Sequence, residues 1–210
     1  MVSGVSVLRL AAAALRPRRS QIWAADFVLG TEALNPVFDR FGLARLVAVN
    51  LDKIRVVEKS RKIDLEALLK EDATTGNWRR DESATVAVLW NARVLHFLKV
   101  LVDNIIDDKE RALDPTAIVD LASLAKRAYA ETLHHYHSGI LRSAAHARLA
   151  FAPDRAALFF ERLGYSPEEW SSRFKHDLRD LSNALNSLLD HLRSLLRNNA
   201  HIDGLFAFAL

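Results

Sequence analysis

The stretch TVAVLWNARVLHFLKV, residues 85–100, is apolar except at five positions and contains neither glycine nor proline. Counted from Trp90, Val94 and Phe97 recur at the spacing of one helical face. The faces beside it are also apolar, apart from one that carries His96. A helix that is apolar on most sides must be covered by other helices. The stretch therefore predicts the buried central helix of a helical domain, spanning residues 82–106.

The rest of the chain divides into further helical segments, and no segment alternates apolar and polar residues as a strand does. A serine cap and Gly30 are expected to bound the first segment, and Ser166 and Glu169 form a capping box before the last one. The expected helices span residues 20–29, 35–41, 43–59, 64–69, 116–135, 136–151 and 166–197. The predicted fold class is all-α.

Composition limits the classes of function. The 210 residues carry 29 basic and 26 acidic side chains, and a net charge of +3 gives no argument for nucleic-acid binding. The chain has no cysteine, which excludes disulfides and thiolate metal sites. No uncharged apolar run approaches the ~20 residues of a membrane span. We therefore expect a soluble single domain.

The N-terminal residues 1–19 have a different composition from the rest. They contain four arginines and no acidic residue, and they are rich in alanine and leucine. This composition is typical of an organelle-targeting peptide, although an ordinary amphipathic helix or a frayed extension fits it too. We therefore expect the folded domain to span residues 20–210, with residues 1–19 as a targeting or disordered extension.

Catalytic and metal-binding patterns are weak in this sequence. His134 and His137 share a helical face, but a metal needs three or four ligands, and two histidines do not make a site. No glycine-rich phosphate loop follows a strand, and no serine has a partner histidine and acid at a known spacing. We expect no catalytic residue, no metal and no cofactor.

Several polar or amphipathic side chains do interrupt the apolar helices. Asn50 and Lys53 share one face of the second long helix, Trp90 lies in the central helix, and Tyr136 and His137 lie at a helix junction. Taken singly, each is explained by a structural role: a hydrogen-bonded core amide, a lysine that extends to solvent, or an aromatic ring that fills space.

Together, these residues resemble a pattern of the glycolipid transfer protein superfamily. The resemblance consists of the N-x-x-K spacing from Asn50, the LWxxRxLxF pattern around Trp90, the YHSGI segment from Tyr136 and the FAP segment at residues 151–153. It covers residues 20–195. It implies a two-layer all-α sandwich that encloses an apolar tunnel for lipid chains. It also implies transfer of single sphingolipids between membranes, with no catalysis and no cofactor.

The resemblance also implies roles for individual residues. Trp90 would stack on the apolar face of a sugar, while Asn50 and Lys53 would bond its hydroxyls. His137 would donate a hydrogen bond to the ceramide amide. The implied protein is cytoplasmic and monomeric, touches membranes transiently and binds a glycosphingolipid.

One accessory position departs from the family pattern, and two others allow a comparison with its phosphate-binding branch. The family carries an aspartate one turn before the asparagine, where this chain has Leu46, or Val49 in a shifted alignment. A missing acid weakens recognition of a neutral sugar and removes a charge that would repel an anionic head. The phosphate-binding branch carries two arginines at the positions of Val86 and Trp90. Arg93 is present, but the glycolipid-type pattern also has an arginine there, so a ceramide-phosphate head is disfavoured.

The second departure concerns the membrane-docking surface. Ser138 and Gly139 replace a tryptophan that often follows the YH pair. Docking would then use Phe151, Trp170 or the apolar tail, residues 204–210. Three other readings stay open at this point. One is a sphingolipid sensor or scaffold that binds lipid without moving it, and another is transfer of the ceramide-1-phosphate type. The third is an all-α enzyme with haem or metal on His137 or His96.

Overall fold

A computed structural model of the chain describes residues 6–58, 62–76, 78, 80–107, 120–150, 163–166 and 169–198. Within these residues it contains nine α-helices and no strand, so the all-α prediction is confirmed. The helices are α1 (Val7–Leu15), α2 (Ala24–Ala33), α3 (Asn35–Arg40), α4 (Ala44–Glu58), α5 (Leu65–Thr75), α6 (Ala84–Asp107), α7 (Leu121–Glu131), α8 (Gly139–Ala150) and α9 (Lys175–Asn198). A 3-10 turn (Leu133–Tyr136) joins α7 to α8, and a π-helical turn (Trp170–Phe174) precedes α9.

Helix α6 is the central helix that the sequence predicts. It packs against α4, α5, α7 and α9, and most of its side chains are buried. Ser83 Oγ accepts a hydrogen bond from Val86 N (3.0 Å), and Asp72 Oδ2 accepts one from Thr85 N (2.7 Å), so the first turn is capped from two sides. By length and composition alone α6 is also long and apolar enough to cross a membrane, but 78% of its most apolar window is buried inside the domain.

The remaining long helices pack against one another in a closed ring, called the helix circuit, around the core. Helix α1 packs on α2, α2 on α4, α4 on α6, α6 on α9 and α9 on α1, while α7 packs on α6 and α8 on α7. The predicted apolar face of α9 is buried along its whole length. Its members are Phe174, Leu178, Leu181, Leu185, Leu188 and Leu192. The amphipathic pattern of α9 is therefore explained by burial of one face against α1 and α6.

The N-terminal segment belongs to this circuit, which corrects the prediction that the fold begins at residue 20. Helix α1 buries Leu8, Ala11 and Leu15 between α2 and α9. The prediction for residues 1–19 was wrong because one composition fits two structures. Targeting peptides and packed amphipathic helices are both alanine-rich with arginine on the outer face. Residues 1–5 lie outside the described part, and the targeting role stays a prediction.

A buried carboxylate fastens α1 to α9. Asp177, which is 2% exposed, accepts hydrogen bonds from Ser6 Oγ (2.5 Å) and from the Tyr165 hydroxyl (2.7 Å). Arg9 Nε lies 3.9 Å from its other oxygen. Burial, and then the bond to Asp177, raises the pKa of the Tyr165 phenol, so the phenol keeps the proton that it donates. The carboxylate thus has two buried donors and a nearby cation.

Several predicted boundaries differ from the structure. The first predicted helix begins at Ala24 instead of Ser20, and Gly30 lies inside it instead of ending it. A Cβ on Gly30 would lie 2.6 Å from Leu15 Cγ, so this glycine permits the close approach of α1 and α2. The capping box is confirmed, because Ser166 N donates to Glu169 Oε2 (3.1 Å) and Glu169 N donates to Ser166 Oγ (3.3 Å).

Candidate functional site

The 3-10 turn before α8 positions His137. The imidazole Nδ1 lies 2.9 Å from the Tyr129 hydroxyl of α7, and Arg142 Nε donates to the carbonyl of His134 (3.1 Å), which holds the turn against α8. Burial lowers the pKa of His137, and the nearby Arg142 and His134 lower it further, so the ring is neutral near pH 7. When the Tyr129 phenol donates to Nδ1, the imidazole proton lies on Nε2 and is available to a ligand.

Arg93 is the buried cation of the same region. Its guanidinium carbon lies 3.8 Å from the centroid of the Tyr136 ring and 4.7 Å from that of the Trp90 ring. The residue is only 8% exposed, and its Nε has no hydrogen-bond partner among the described residues. Desolvation lowers the pKa of the guanidinium, against a hydrogen bond from it to Tyr136 that raises the pKa. Arg93 therefore joins α6 to the turn that carries His137.

The two α4 residues make separate contacts. Asn50 is buried, and its Nδ2 donates to the Leu46 carbonyl one turn earlier (3.1 Å). Lys53 Nζ donates to the Asp81 carbonyl (2.5 Å) and lies 3.6 Å from the Asp81 carboxylate, so it joins α4 to the loop before α6. One partner of each residue is thus a backbone carbonyl.

The predicted site residues therefore fall into two groups. Arg93 contacts both Trp90 and Tyr136, and His137 follows Tyr136 directly. Asn50 and Lys53 lie on α4, which packs on α6, but the contacts described for them are with Leu46 and Asp81 and not with Trp90 or His137.

The accessory positions have different surroundings. Leu46 is 37% exposed and Val49 is 51% exposed, so the α4 face that would carry the family's aspartate is apolar and open to solvent. Val86 is 9% exposed and lies one turn before Trp90 on α6.

An apolar cavity of about 30 Å³ lies directly beside His137. Its walls come from the end of α3, from α6, α7 and α8, and the Phe41 and Phe97 rings meet edge to face with centroids 5.8 Å apart. A second apolar cavity, of about 20 Å³, lies between α1, α3, α6 and α9. Each volume is near that of one water molecule, so a hydrocarbon chain enters either cavity only if side chains move apart.

Sequence reasoning missed Tyr129 and the buried Asn91. Nothing in the spacing distinguishes Tyr129 from the other apolar positions of α7, and only the fold brings its hydroxyl to His137. Asn91 is fully buried on α6, and neither polar atom of its side chain has a hydrogen-bond partner within the described ranges. An asparagine in an apolar helix was the available signal, but a sequence does not show which face is enclosed.

Exposed apolar side chains follow the His137 turn. Ile140 is 84% exposed and Leu141 is 54% exposed, and both lie in the first turn of α8. The docking residues expected from sequence, namely Phe151, the Trp170 side chain and the tail at 204–210, lie outside the described part of the chain.

Sequence comparison connects this chain to known proteins. The family model described as "Glycolipid transfer protein (GLTP)" matches residues 22–164. A "Glycolipid transfer protein" of Danio rerio is 26% identical over 151 residues, which cover 67% of this chain and 70% of that protein. "Pleckstrin homology domain-containing family A member 8" of the same fish is 25% identical over 173 residues. That alignment covers 78% of this chain and 30% of the fish protein, so the chain spans less than a third of that relative.

Solved structures share the fold. A mutant of Arabidopsis accelerated-cell-death 11, complexed with ceramide-1-phosphate, matches 93% of this chain and 96% of its own, with a TM-score of 0.79 and 20% identity. A FAPP2 structure described as selecting simple glycosphingolipids with the GLTP-fold covers 93% of this chain and 97% of its own, with a TM-score of 0.78 and 20% identity. These likenesses confirm the predicted all-α sandwich.

The family model accounts for well over half of the chain, including α2 to α8 with Asn50, Trp90 and His137. This chain therefore belongs to the glycolipid transfer protein family.

Proposed function

We propose that this protein binds single sphingolipids and moves them between membranes without catalysis. The observation that carries the proposal is the meeting of Trp90, Arg93 and Tyr136 beside His137, which itself borders an apolar cavity. A polar cluster at the edge of an apolar interior suits an amphiphile whose head stays at the surface while its chains are buried. Membership of a lipid transfer family supports a non-enzymatic role.

The head group would bind where α6 faces the 3-10 turn. Trp90 is half-buried, and an indole offers a flat apolar surface for the C–H face of a sugar. Arg93 covers part of this indole, so the sugar would stack on the remaining surface. Asn50 and Lys53 would reach sugar hydroxyls only by giving up their present carbonyl partners.

His137 would orient the ceramide. Its Nδ1 faces the Tyr129 hydroxyl, and its Nε2 proton would bond the amide carbonyl of the lipid at the entrance to the apolar interior. A neutral histidine suits this role because a charged ring beside an apolar cavity would be costly.

The hydrocarbon chains would supply most of the affinity. Each buried CH₂ contributes about 0.8 kcal/mol, so the chains hold the lipid and the head site selects it. Chain entry would separate the Phe41–Phe97 pair and its neighbours, since the cavity beside His137 holds only about 30 Å³.

Membrane contact would occur through the start of α8. Ile140 and Leu141 are exposed beside the His137 turn, where two apolar side chains reach the lipid interface without a tryptophan. This surface supports transient peripheral binding to membranes, and we propose that the protein acts as a cytoplasmic monomer.

Transfer of fluorescent glycosphingolipid between vesicles tests the proposal. Trp90→Ala should abolish transfer, because the stacking surface is lost. Val56→Ala is the control, since Val56 is 74% exposed on α4 and is not part of the head-group cluster. Transfer by Trp90→Ala at the wild-type rate would show that the indole has no role in binding.

A sensor that binds lipid without releasing it is the second candidate. The replacement of the family's docking tryptophan by Ser138 and Gly139 favours it. Tight lipid binding with no flux between vesicles would identify the sensor, whereas flux that falls in the double variant Ile140→Ser, Leu141→Ser would support transfer.

A further inference from the structure

A cavity of about 390 Å³ lies where the segment that opens α2 faces the end of α4, apart from the head-group cluster. Six described residues line it, three from each side: Trp23, Ala25, Asp26, Glu58, Lys62 and Ile63. Its volume falls in the usual range of small-molecule sites, about 300–1,000 Å³. Unlike the two apolar cavities of the core, it is therefore large enough for a polar ligand without movement of the helices.

Backbone hydrogen bonds hold the two sides of this cavity together. Ala24 N donates to the Ile63 carbonyl (3.0 Å), and Leu65 N donates to the Ile22 carbonyl at the same distance. Trp23 lies between these two bonds, and its side chain is 45% exposed. A fixed backbone thus presents a large aromatic surface to the cavity. A preformed wall of this kind loses little conformational freedom when a ligand binds.

The carboxylates of the wall lack the partners that neighbouring acids have. Glu32 on α2 and Asp52 on α4 both form ion pairs with Arg55. Asp26 and Glu58 lie on the same two helices and take part in none of the ion pairs within the described ranges. Two carboxylates against a single lysine make the wall acidic overall. The cavity therefore attracts a cation.

An indole beside carboxylates recognises an organic ammonium. The face of the ring attracts the cation, and tryptophan is the most favourable aromatic side chain for a quaternary ammonium. Lys62 is exposed on the α4 side of the wall, and a lysine binds phosphate as a point charge. A ligand with a positive and a negative group, such as phosphocholine, therefore complements the indole, both carboxylates and the lysine together.

The cavity lies toward the end of the domain that carries the head-group cluster. Phe41, just before α4, contacts Phe97 in the middle of α6. Lys53, near the end of α4, bonds Asp81 just before α6. The two helices therefore run in opposite directions, and the cavity at the end of α4 lies toward the same end as Trp90 in the second turn of α6. This placement favours a lipid of the contacted membrane as the source of the ligand.

We propose that the cavity binds the phosphocholine head of a membrane phospholipid. The quaternary ammonium lies against the Trp23 indole and the carboxylates of Asp26 and Glu58, and the phosphate contacts Lys62. Such an anchor goes beyond the proposed function, because the phospholipid stays in the bilayer and is not transported. It rests on the proposed membrane contact, which it restricts to membranes that display choline heads.

Titration calorimetry of the full chain with soluble phosphocholine tests the site. We expect binding by the wild type and at least about fivefold weaker binding by Trp23→Ala and by Glu58→Gln, because each loses one attraction to the ammonium. Asp52→Asn is the charge-matched control, since Asp52 lies on the same helix, outside the cavity, and pairs with Arg55. Lys62→Gln should weaken binding of phosphocholine but not of choline. If Trp23→Ala does not fold, Glu58→Gln decides.

Vesicle sedimentation identifies the source of the ligand. Vesicles of phosphatidylcholine without sphingolipid should bind Glu58→Gln at least about threefold less than Asp52→Asn, because only Glu58 faces the choline group. Vesicles of phosphatidylglycerol should bind the two variants equally, since their head group carries no ammonium. Both variants lose one negative charge, so a general change in membrane attraction affects them alike.

The outcomes separate this inference from the proposed function. Trp90→Ala should lose glycosphingolipid transfer and keep the wild-type affinity for phosphocholine, because the two sites share no residue. Absence of phosphocholine binding by the wild type, or its loss in Trp90→Ala, would overturn the site and leave lipid transfer intact. Weaker soluble binding by Glu58→Gln with unchanged vesicle binding would overturn the membrane source. Tighter binding of a trimethyllysine peptide than of phosphocholine would overturn the lipid assignment in favour of a protein partner.

Discussion

Asp177 and Arg93 are both buried charged side chains, yet their surroundings are opposite. Asp177 accepts bonds from Ser6 and Tyr165 and lies near Arg9, and it fastens α1 to α9. Arg93 contacts the Trp90 and Tyr136 rings and hydrogen-bonds to Tyr136, and its Nε has no hydrogen-bond partner among the described residues. A buried charge whose partners come from its own chain stabilises the fold. A buried cation held by aromatic rings and one hydrogen bond, without an acidic partner, is compensated only in part.

Removal of the Asp177 carboxylate should have the largest effect on stability. Asp177→Ala leaves the buried Ser6 and Tyr165 hydroxyls without their acceptor, so we expect a loss of about 3–5 kcal/mol in the free energy of unfolding. Urea denaturation measures this value. Asp180→Ala is the control on the same helix, because its ion pair with Arg16 is solvent-exposed and should contribute only about 0–1 kcal/mol. Equal losses of unfolding free energy in the two variants would show that the buried Asp177 contributes no more than the exposed Asp180.

Arg93→Met should change the free energy of unfolding in the opposite direction to Asp177→Ala. Replacement of an unpaired buried cation by an apolar side chain of similar length should leave the ligand-free protein as stable or raise the free energy of unfolding by about 1 kcal/mol. Urea denaturation without lipid provides the measurement. A loss comparable to that of Asp177→Ala would mean that Arg93 is satisfied within the fold.

Restoration of an acid near the site should change selectivity by a smaller amount. Leu46→Asp should raise galactosylceramide transfer by about threefold, the effect of one additional hydrogen bond, and should lower transfer of the sulfated form. Val56→Asp is the matched control, since Val56 is 74% exposed on the same helix. Unchanged rates in Leu46→Asp would show that position 46 does not face the head group.

The histidines should give the smallest effect, a loss of stability in mild acid. Burial lowers the pKa values of His96, His137 and His191 below their ordinary value of 6.5. The unfolded chain therefore binds more protons than the folded chain just below pH 6.5, so the free energy of unfolding rises with pH there. We expect full stability above about pH 7 and a decline below pH 6.5, with a smaller decline in His137→Gln. Higher stability at pH 5.5 than at pH 7.5 would contradict these shifts.

Helical periodicity predicted most of the fold, because burial of one helix face leaves a direct trace in the sequence. Helix α6 was predicted within two residues at each end, and every residue predicted for the apolar face of the last helix is buried. The same reasoning failed at Gly30, where a helix interior contains a residue that usually marks an end. The reason is tertiary: the glycine admits Leu15 of α1.

The sequence predicted which residues belong to the site but not how they are arranged in space. Trp90, Arg93, Tyr136 and His137 were singled out from the sequence, and the structure shows contacts that join Trp90, Arg93 and Tyr136. The assignment of lipid-binding roles to Asn50, Lys53 and the others stays a prediction. No spacing rule relates α6 to a turn some forty residues later, so the cation between two rings could not be derived from the pattern.

The sequence by itself determined the all-α class, the central helix and the resemblance to a lipid transfer family, because these depend on local periodicity and short motifs. Only the tertiary structure decided that α1 belongs to the core and that Tyr129 meets His137. It alone also showed that Asp177 has two buried donors while the Nε of Arg93 has no acceptor among the described residues. The physical reason is that charge compensation depends on distances between segments far apart in the chain, and such distances leave no periodic trace in a sequence.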